Sequence, residues 1–149
     1  VMFVVAAASP FAWVLASQQV PQTVGAALSG MAGSPQMLMV LIIMLLLFIG
    51  LFMEMIAAMV IMVPVFVPVI MAAGLDPIQF GVVIVLSLVI GALTPPLGML
   101  VFTTARVGRI SPSEVFRAVL PFLAALLVVL MLVAFVPVIS TGLVGMIGP

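Results

Sequence analysis

Apolar residues fill this chain in long blocks, and the polar positions between them follow a repeated pattern. Three of the blocks are preceded by a capping residue and then proline: Ser34-Pro35, Asp76-Pro77 and Ser111-Pro112. The first member can accept hydrogen bonds from the open N–H groups of a helix, and proline suits the first helical position. Gln79 and Glu114 stand three residues after their caps, the spacing of a capping box. The pattern predicts helix starts at these points.

The first block, residues 1–16, is expected to be a transmembrane helix, with Trp13 near its end at the membrane interface. Residues 17–35 form a polar, small-residue linker, with a short interfacial helix over Val24–Met31. The second block spans residues 37–73 and carries one charge, Glu54. As a single helix it would be roughly 56 Å long, nearly twice the ~30 Å hydrocarbon core of a bilayer. It must fold back, and Gly50-Leu51-Phe52-Met53-Glu54 is where glycine and the charge lie together. The first arm, Met37–Ile49, is short for a span. A re-entrant hairpin with its tip near 50–54 accounts for both features; two spans joined by a tight turn is the alternative. Pro64 and Pro68 are expected to kink the second arm.

The third block, residues 78–105, is broken. Its charge-free part, Phe80–Ala105, would cross a membrane as a helix of roughly 39 Å. Gly91-Ala92-Leu93-Thr94-Pro95-Pro96-Leu97-Gly98 interrupts it. Both prolines lack an N–H and clash with the preceding turn, and Thr94 before proline is pushed toward extended geometry. The helix should stop near Gly91–Leu93 and restart after Pro96. The fourth block, residues 118–139, reads as an ordinary spanning helix, and residues 140–149 as a small, weakly apolar tail.

Composition fixes the class. The chain is 68% hydrophobic and 4% charged, with a mean hydropathy of +1.69. So little charge cannot clothe a soluble domain, and the expected fold class is an all-α integral membrane protein. Zero net charge argues against nucleic acid as a partner. There is no His to serve as a base and no Cys to serve as a nucleophile or thiolate ligand. Asp76 caps a loop far from Glu54, so no acid pair forms, and the chain is not read as an enzyme. It opens on Val1 inside an apolar segment, which reads as the C-terminal piece of a larger membrane protein. Arg106, Arg109 and Arg117 all fall between blocks three and four, which places that loop in the cytoplasm by the positive-inside rule.

The break is the candidate chemistry. Irregular backbone at membrane depth persists only where protein buries it or it lines a cavity. The half-helix ending near Gly91–Leu93 offers open carbonyls and a negative dipole end, which suit a cation such as Na⁺. The half-helix starting at Thr94–Leu97 offers N–H groups and a positive end, which suit a carboxylate. Thr94 can give a cation its hydroxyl oxygen or cap the second half, and Gly91 and Gly98 allow close backbone approach. The bland reading is a proline kink in an inert helix. Glu54 could help hold a cation, exchange a proton, or cap the second hairpin arm. Ser87 reads as a small residue at a helix contact. The methionines and phenylalanines read as packing and lipid surface.

These residues together resemble a known family. Gly50–Glu54, then Pro64 and Pro68, then Gly74-Leu75-Asp76-Pro77-Ile78-Gln79-Phe80-Gly81, then Gly91–Gly98 occur in order. With Ser9–Leu15, Phe102 and Ala118–Phe122, they look like the C-terminal part of the large membrane subunit of a tripartite ATP-independent periplasmic (TRAP) transporter. The resemblance implies an inverted-repeat, elevator-type fold and Na⁺-coupled import of a small organic acid, such as a C4-dicarboxylate or sugar acid. It implies a multi-pass protein of the bacterial inner membrane, partnered by a small membrane subunit and a periplasmic substrate-binding protein. Sodium, as coupling ion and not cofactor, would meet the carbonyls of Gly91 and Leu97 and the Thr94 oxygen. Gly50, Glu54, Pro95, Pro96 and Gly98 would lie toward the solute. The family often has Asn where Ile43 and Ser87 stand here. Another sodium- or proton-coupled carrier of similar design, or a non-transporting scaffold subunit, are the competing readings.

Overall fold

Helix starts in this chain are set by single side chains. In a computed structural model, which describes residues 10, 13–14, 17–95 and 98–147, Ser34, Glu54, Asp76 and Ser111 each accept first-turn N–H groups. Asp76 Oδ1 accepts from Ile78 N–H at 2.7 Å and from Gln79 N–H at 3.2 Å. Ser111 and Glu114 cap each other's backbone reciprocally, a full capping box. The regular elements among the described residues are all helices: α1 (Val20–Met31), α2 (Pro35–Phe52), α3 (Met55–Ala72), α4 (Pro77–Leu93), α5 (Met99–Gly108), α6 (Pro112–Phe135) and α7 (Val138–Ile147).

The caps also set the lengths. Because Ser34-Pro35 starts α2, the first arm has 18 residues, about 27 Å at 1.5 Å per residue. With α3 and α6 it is long and apolar enough to cross a membrane. α3 stays helical through Pro64 and Pro68. α6 begins at Pro112, earlier than the sequence window of 118–139, because the capping box lies there. It ends at Phe135 because Pro137 has no N–H to continue the ladder, and the tail resumes as α7. Most of the first block, residues 1–16, lies outside the described residues.

α4 is the hub: it packs against α2, α3 and α6. Its buried residues Phe80, Val83, Ile84, Ser87, Leu88 and Gly91 recur at the three- and four-residue spacing of one helix face. On α2 the buried set Leu38, Met39, Ile42, Ile43, Leu46 and Gly50 repeats that spacing. Phe66 of α3 meets Phe80 of α4 edge to face, with ring centroids 6.3 Å apart.

Gln79 fixes the other end of α4. Sequence spacing suggested that its side chain turns back to Asp76 in a capping box. Instead it is buried, and Nε2 donates to the carbonyls of Val133 at 2.9 Å and Ala134 at 2.8 Å. Val133 precedes Pro137 by four residues, so its carbonyl has no helical N–H to accept. The Gln79 amide fills that vacancy. A buried carbonyl without a donor costs about 1–3 kcal/mol, so this contact holds the start of α4 against the end of α6.

Candidate functional site

The hairpin tip is compact. α2 ends at Phe52, and only Met53 and Glu54, both extended, separate it from α3. Met53 N–H reaches back to the Ile49 carbonyl at 3.0 Å. Glu54 Oε2 accepts the Ala57 N–H at 3.0 Å, and the residue is exposed. Of the three roles open to Glu54 from sequence, the geometry displays the cap of α3.

The break forms as the prolines require. α4 stops at Leu93, and Thr94 is its extended C-cap, with φ −89° and ψ 137°. The Thr94 N–H donates to the Gly91 carbonyl at 3.0 Å, and its Oγ1 donates to the Ile90 carbonyl at 2.7 Å. That bond uses the hydroxyl proton and leaves the oxygen's lone pairs as acceptors. The Gly91 carbonyl, with one lone pair engaged, retains the other. Pro95 is exposed, and Pro96 and Leu97 lie outside the described residues. Gly98 opens α5 in the left-handed region, φ 36° and ψ 56°, where only glycine sits without strain.

Tip and break meet through their glycines. A Cβ built on Gly91 would stand 2.7 Å from the Leu47 carbonyl oxygen and 2.8 Å from the Gly50 Cα. One built on Gly50 would stand 3.0 Å from the Leu88 carbonyl oxygen and 3.1 Å from the Gly91 Cα. Backbone therefore touches backbone, as small residues permit in membrane helices. Both glycines lie in the last turn of their helices, so the C-terminal ends of α2 and α4 converge. Each end carries roughly half a negative charge and open carbonyls. The pair makes an electronegative locus that favours a cation, with the Thr94 oxygen beside it.

Of the residues singled out from sequence, Gly50, Gly91 and Thr94 are brought to one junction. Gly98 adjoins it, since its Cβ position lies 3.5 Å from the Thr94 carbonyl oxygen. Glu54 stands just past the tip with its carboxylate engaged by its own helix. Ser87 is fully buried one turn before Gly91, beside the Leu88 backbone that meets Gly50. Its Oγ is the one buried side-chain polar atom without a partner among the described residues. Sequence reading had each glycine as a local feature. Their mutual contact was not drawn, although a glycine near the end of each of two uniformly apolar helices is the signal for it.

Among the described residues, a proline-broken helix docked by its end onto a helical hairpin, with three helices long and apolar enough to cross a membrane, defines an all-helical integral membrane protein. The chain belongs to the DctM component family of tripartite ATP-independent periplasmic transporters, whose model matches residues 1–139. It is 37% identical over 147 residues to the C4-dicarboxylate TRAP transporter large permease protein DctM of Pseudomonas aeruginosa, covering 99% of this chain and 34% of that protein. It is 42% identical over 127 residues to the sialic acid TRAP transporter large permease protein SiaM of Vibrio cholerae, covering 85% and 30%. It is 32% identical over 137 residues to the 2,3-diketo-L-gulonate TRAP transporter large permease protein YiaN of Escherichia coli, covering 92% and 32%. The chain thus spans about a third of the length of these relatives.

Proposed function

We propose that this chain forms the sodium-linked half of a TRAP permease site, which imports a small organic acid across the bacterial inner membrane. The observation that carries the reading is the Gly50–Gly91 contact, which joins two helix C-termini beside a hydroxyl oxygen whose proton is already donated. Carbonyl and hydroxyl oxygens are the donors a hard monovalent cation takes, and unwound carbonyls with half-helix C-terminal ends hold Na⁺ in transporters. Gly91, Thr94 and Leu97 are the assigned sodium contacts. The start of α5 past Gly98, which no side chain caps, supplies the N–H end that suits the solute's carboxylate, whereas Glu54 already occupies the start of α3. Gly50 and Pro95 shape the approach.

In this reading α2 and α3 form a re-entrant hairpin whose tip, touching Gly91, meets the helix break within the membrane. Relatives named for a C4-dicarboxylate, sialic acid and diketogulonate favour an organic acid as solute. In this reading a periplasmic binding protein delivers the acid, and a small membrane subunit completes the permease.

Thr94→Ala tests the assignment. Uptake by the complete permease, measured against sodium concentration, is expected to need roughly tenfold more sodium for half-saturation, as loss of one charged hydrogen-bond-strength contact implies. Thr94→Ser, which keeps the oxygen, should stay near the parent. Unchanged sodium dependence in a folded Thr94→Ala permease would refute the assignment.

A further inference from the structure

The elbow between α5 and α6 carries features that sodium and solute do not use. Arg106, Arg109 and Arg117 are the chain's only basic residues, and all three are exposed there. The neighbouring acid, Glu114, spends its Oε2 on the Ser111 N–H in the capping box. Arg109 closes α5 in the left-handed region, at φ 52° and ψ 38°, a position that favours glycine. Its N–H bonds back to α5, and Ile110 N–H reaches the Ala105 carbonyl at 3.1 Å.

Two cavities meet at this elbow. One, of about 430 Å³, is lined by Phe102, Thr103, Ala105, Arg106, Ile110 and Pro112. The other, of about 190 Å³, is an apolar slot lined by Pro95, Gly98, Val101, Phe102, Pro112 and Phe116. Phe102 and Pro112 are walls of both, so a cationic mouth continues directly into an apolar slot. A free phosphate would use the mouth and leave the slot empty. A molecule with an anionic head and a hydrocarbon tail uses both, and a bilayer supplies it at high local concentration.

We infer that the α5–α6 elbow binds one anionic phospholipid, its phosphate held at Arg106 and an acyl chain lying in the slot against Phe102 and Phe116. The slot reaches Pro95 and Gly98, so the bound chain touches the helix break itself. The site is independent of the sodium assignment and would stand if that assignment failed.

The test uses the complete permease, delipidated, then incubated with phosphatidylglycerol or phosphatidylcholine and examined by native mass spectrometry. The parent protein is expected to retain phosphatidylglycerol in preference to phosphatidylcholine. R106Q should retain about fivefold less, the scale of one basic residue at an anionic lipid surface. Arg117→Gln, which lines neither cavity, should stay within about twofold of the parent. These arginines are exposed, so the variants should fold, which gel filtration checks. Soluble sn-glycerol 1-phosphate should not displace the lipid; displacement would make the mouth a small-anion site and overturn the proposal. Equal retention of both lipids, equal retention by R106Q, or no retention by the parent, as when another part of the permease covers the elbow, would each overturn it too.

Discussion

Gly91→Ala is expected to disable transport. The added methyl would lie 2.7 Å from the Leu47 carbonyl oxygen and 2.8 Å from the Gly50 Cα. Both are backbone atoms, so no flexible side chain can yield, and α2 must move away from α4. Overpacking of this kind costs about 1–3 kcal/mol. The larger effect is geometric, because the displaced helix ends are those assigned to sodium. Uptake by the complete permease should fall at least about tenfold, as a 1 Å misplacement in a working site suggests. Gly81→Ala is the control: Gly81 lies in the same helix, and its Cβ position has nothing within 4 Å. There alanine should be neutral or mildly stabilising, by up to ~1 kcal/mol. Full uptake by a folded Gly91→Ala permease would show that the glycine contact is not needed.

Pro95→Ala/Pro96→Ala should produce the opposite pairing, a protein that is more stable and less active. Each proline inside a helix disfavours it by about 3 kcal/mol relative to alanine. Without them α4 can extend past Thr94 toward Gly98. The open carbonyls of its last turn would then be taken by new helical N–H groups. Uptake should drop about tenfold or more, the scale for losing preorganised electrostatic contacts. The thermal midpoint should rise or hold. Loss of activity with gain of stability separates a healed break from a misfolded protein. Normal uptake by the double variant would identify the break as an inert kink.

Much of this architecture is legible from single residues. Ser34, Asp76 and Ser111 mark helix starts because the capping bond is local and needs no tertiary partner. The stop at Leu93 follows from two prolines for the same reason. What sequence could not supply is direction. α2, α3 and α4 are apolar on all sides, so no polar face says which stripe turns inward. Small residues interrupt that uniformity at Gly50, Gly81, Ser87 and Gly91, and of these Gly81 lies exposed, away from the contact face. Pairing Gly50 with Gly91 required the structure, since 40 positions between two glycines give no register. Gln79 was misread because its spacing from Asp76 fits a local motif. Its real partner is a carbonyl near the end of α6 that a distant proline, Pro137, leaves open. Local rules fail where a long-range vacancy outbids them. Glu54 shows the converse: a lone acid in an apolar run left ion chemistry and helix capping both open, and the local capping bond is the one that forms.

The most direct measurement is uptake of organic acids into proteoliposomes that hold the complete permease and its small subunit, with the cognate binding protein outside. Each candidate acid would be tested with and without an inward sodium gradient, and with and without the binding protein. The account predicts accumulation only when the sodium gradient and the binding protein are both present. Accumulation of the same acid without a sodium gradient would contradict it, because the junction of Gly50, Gly91 and Thr94 would then have no coupling ion to hold.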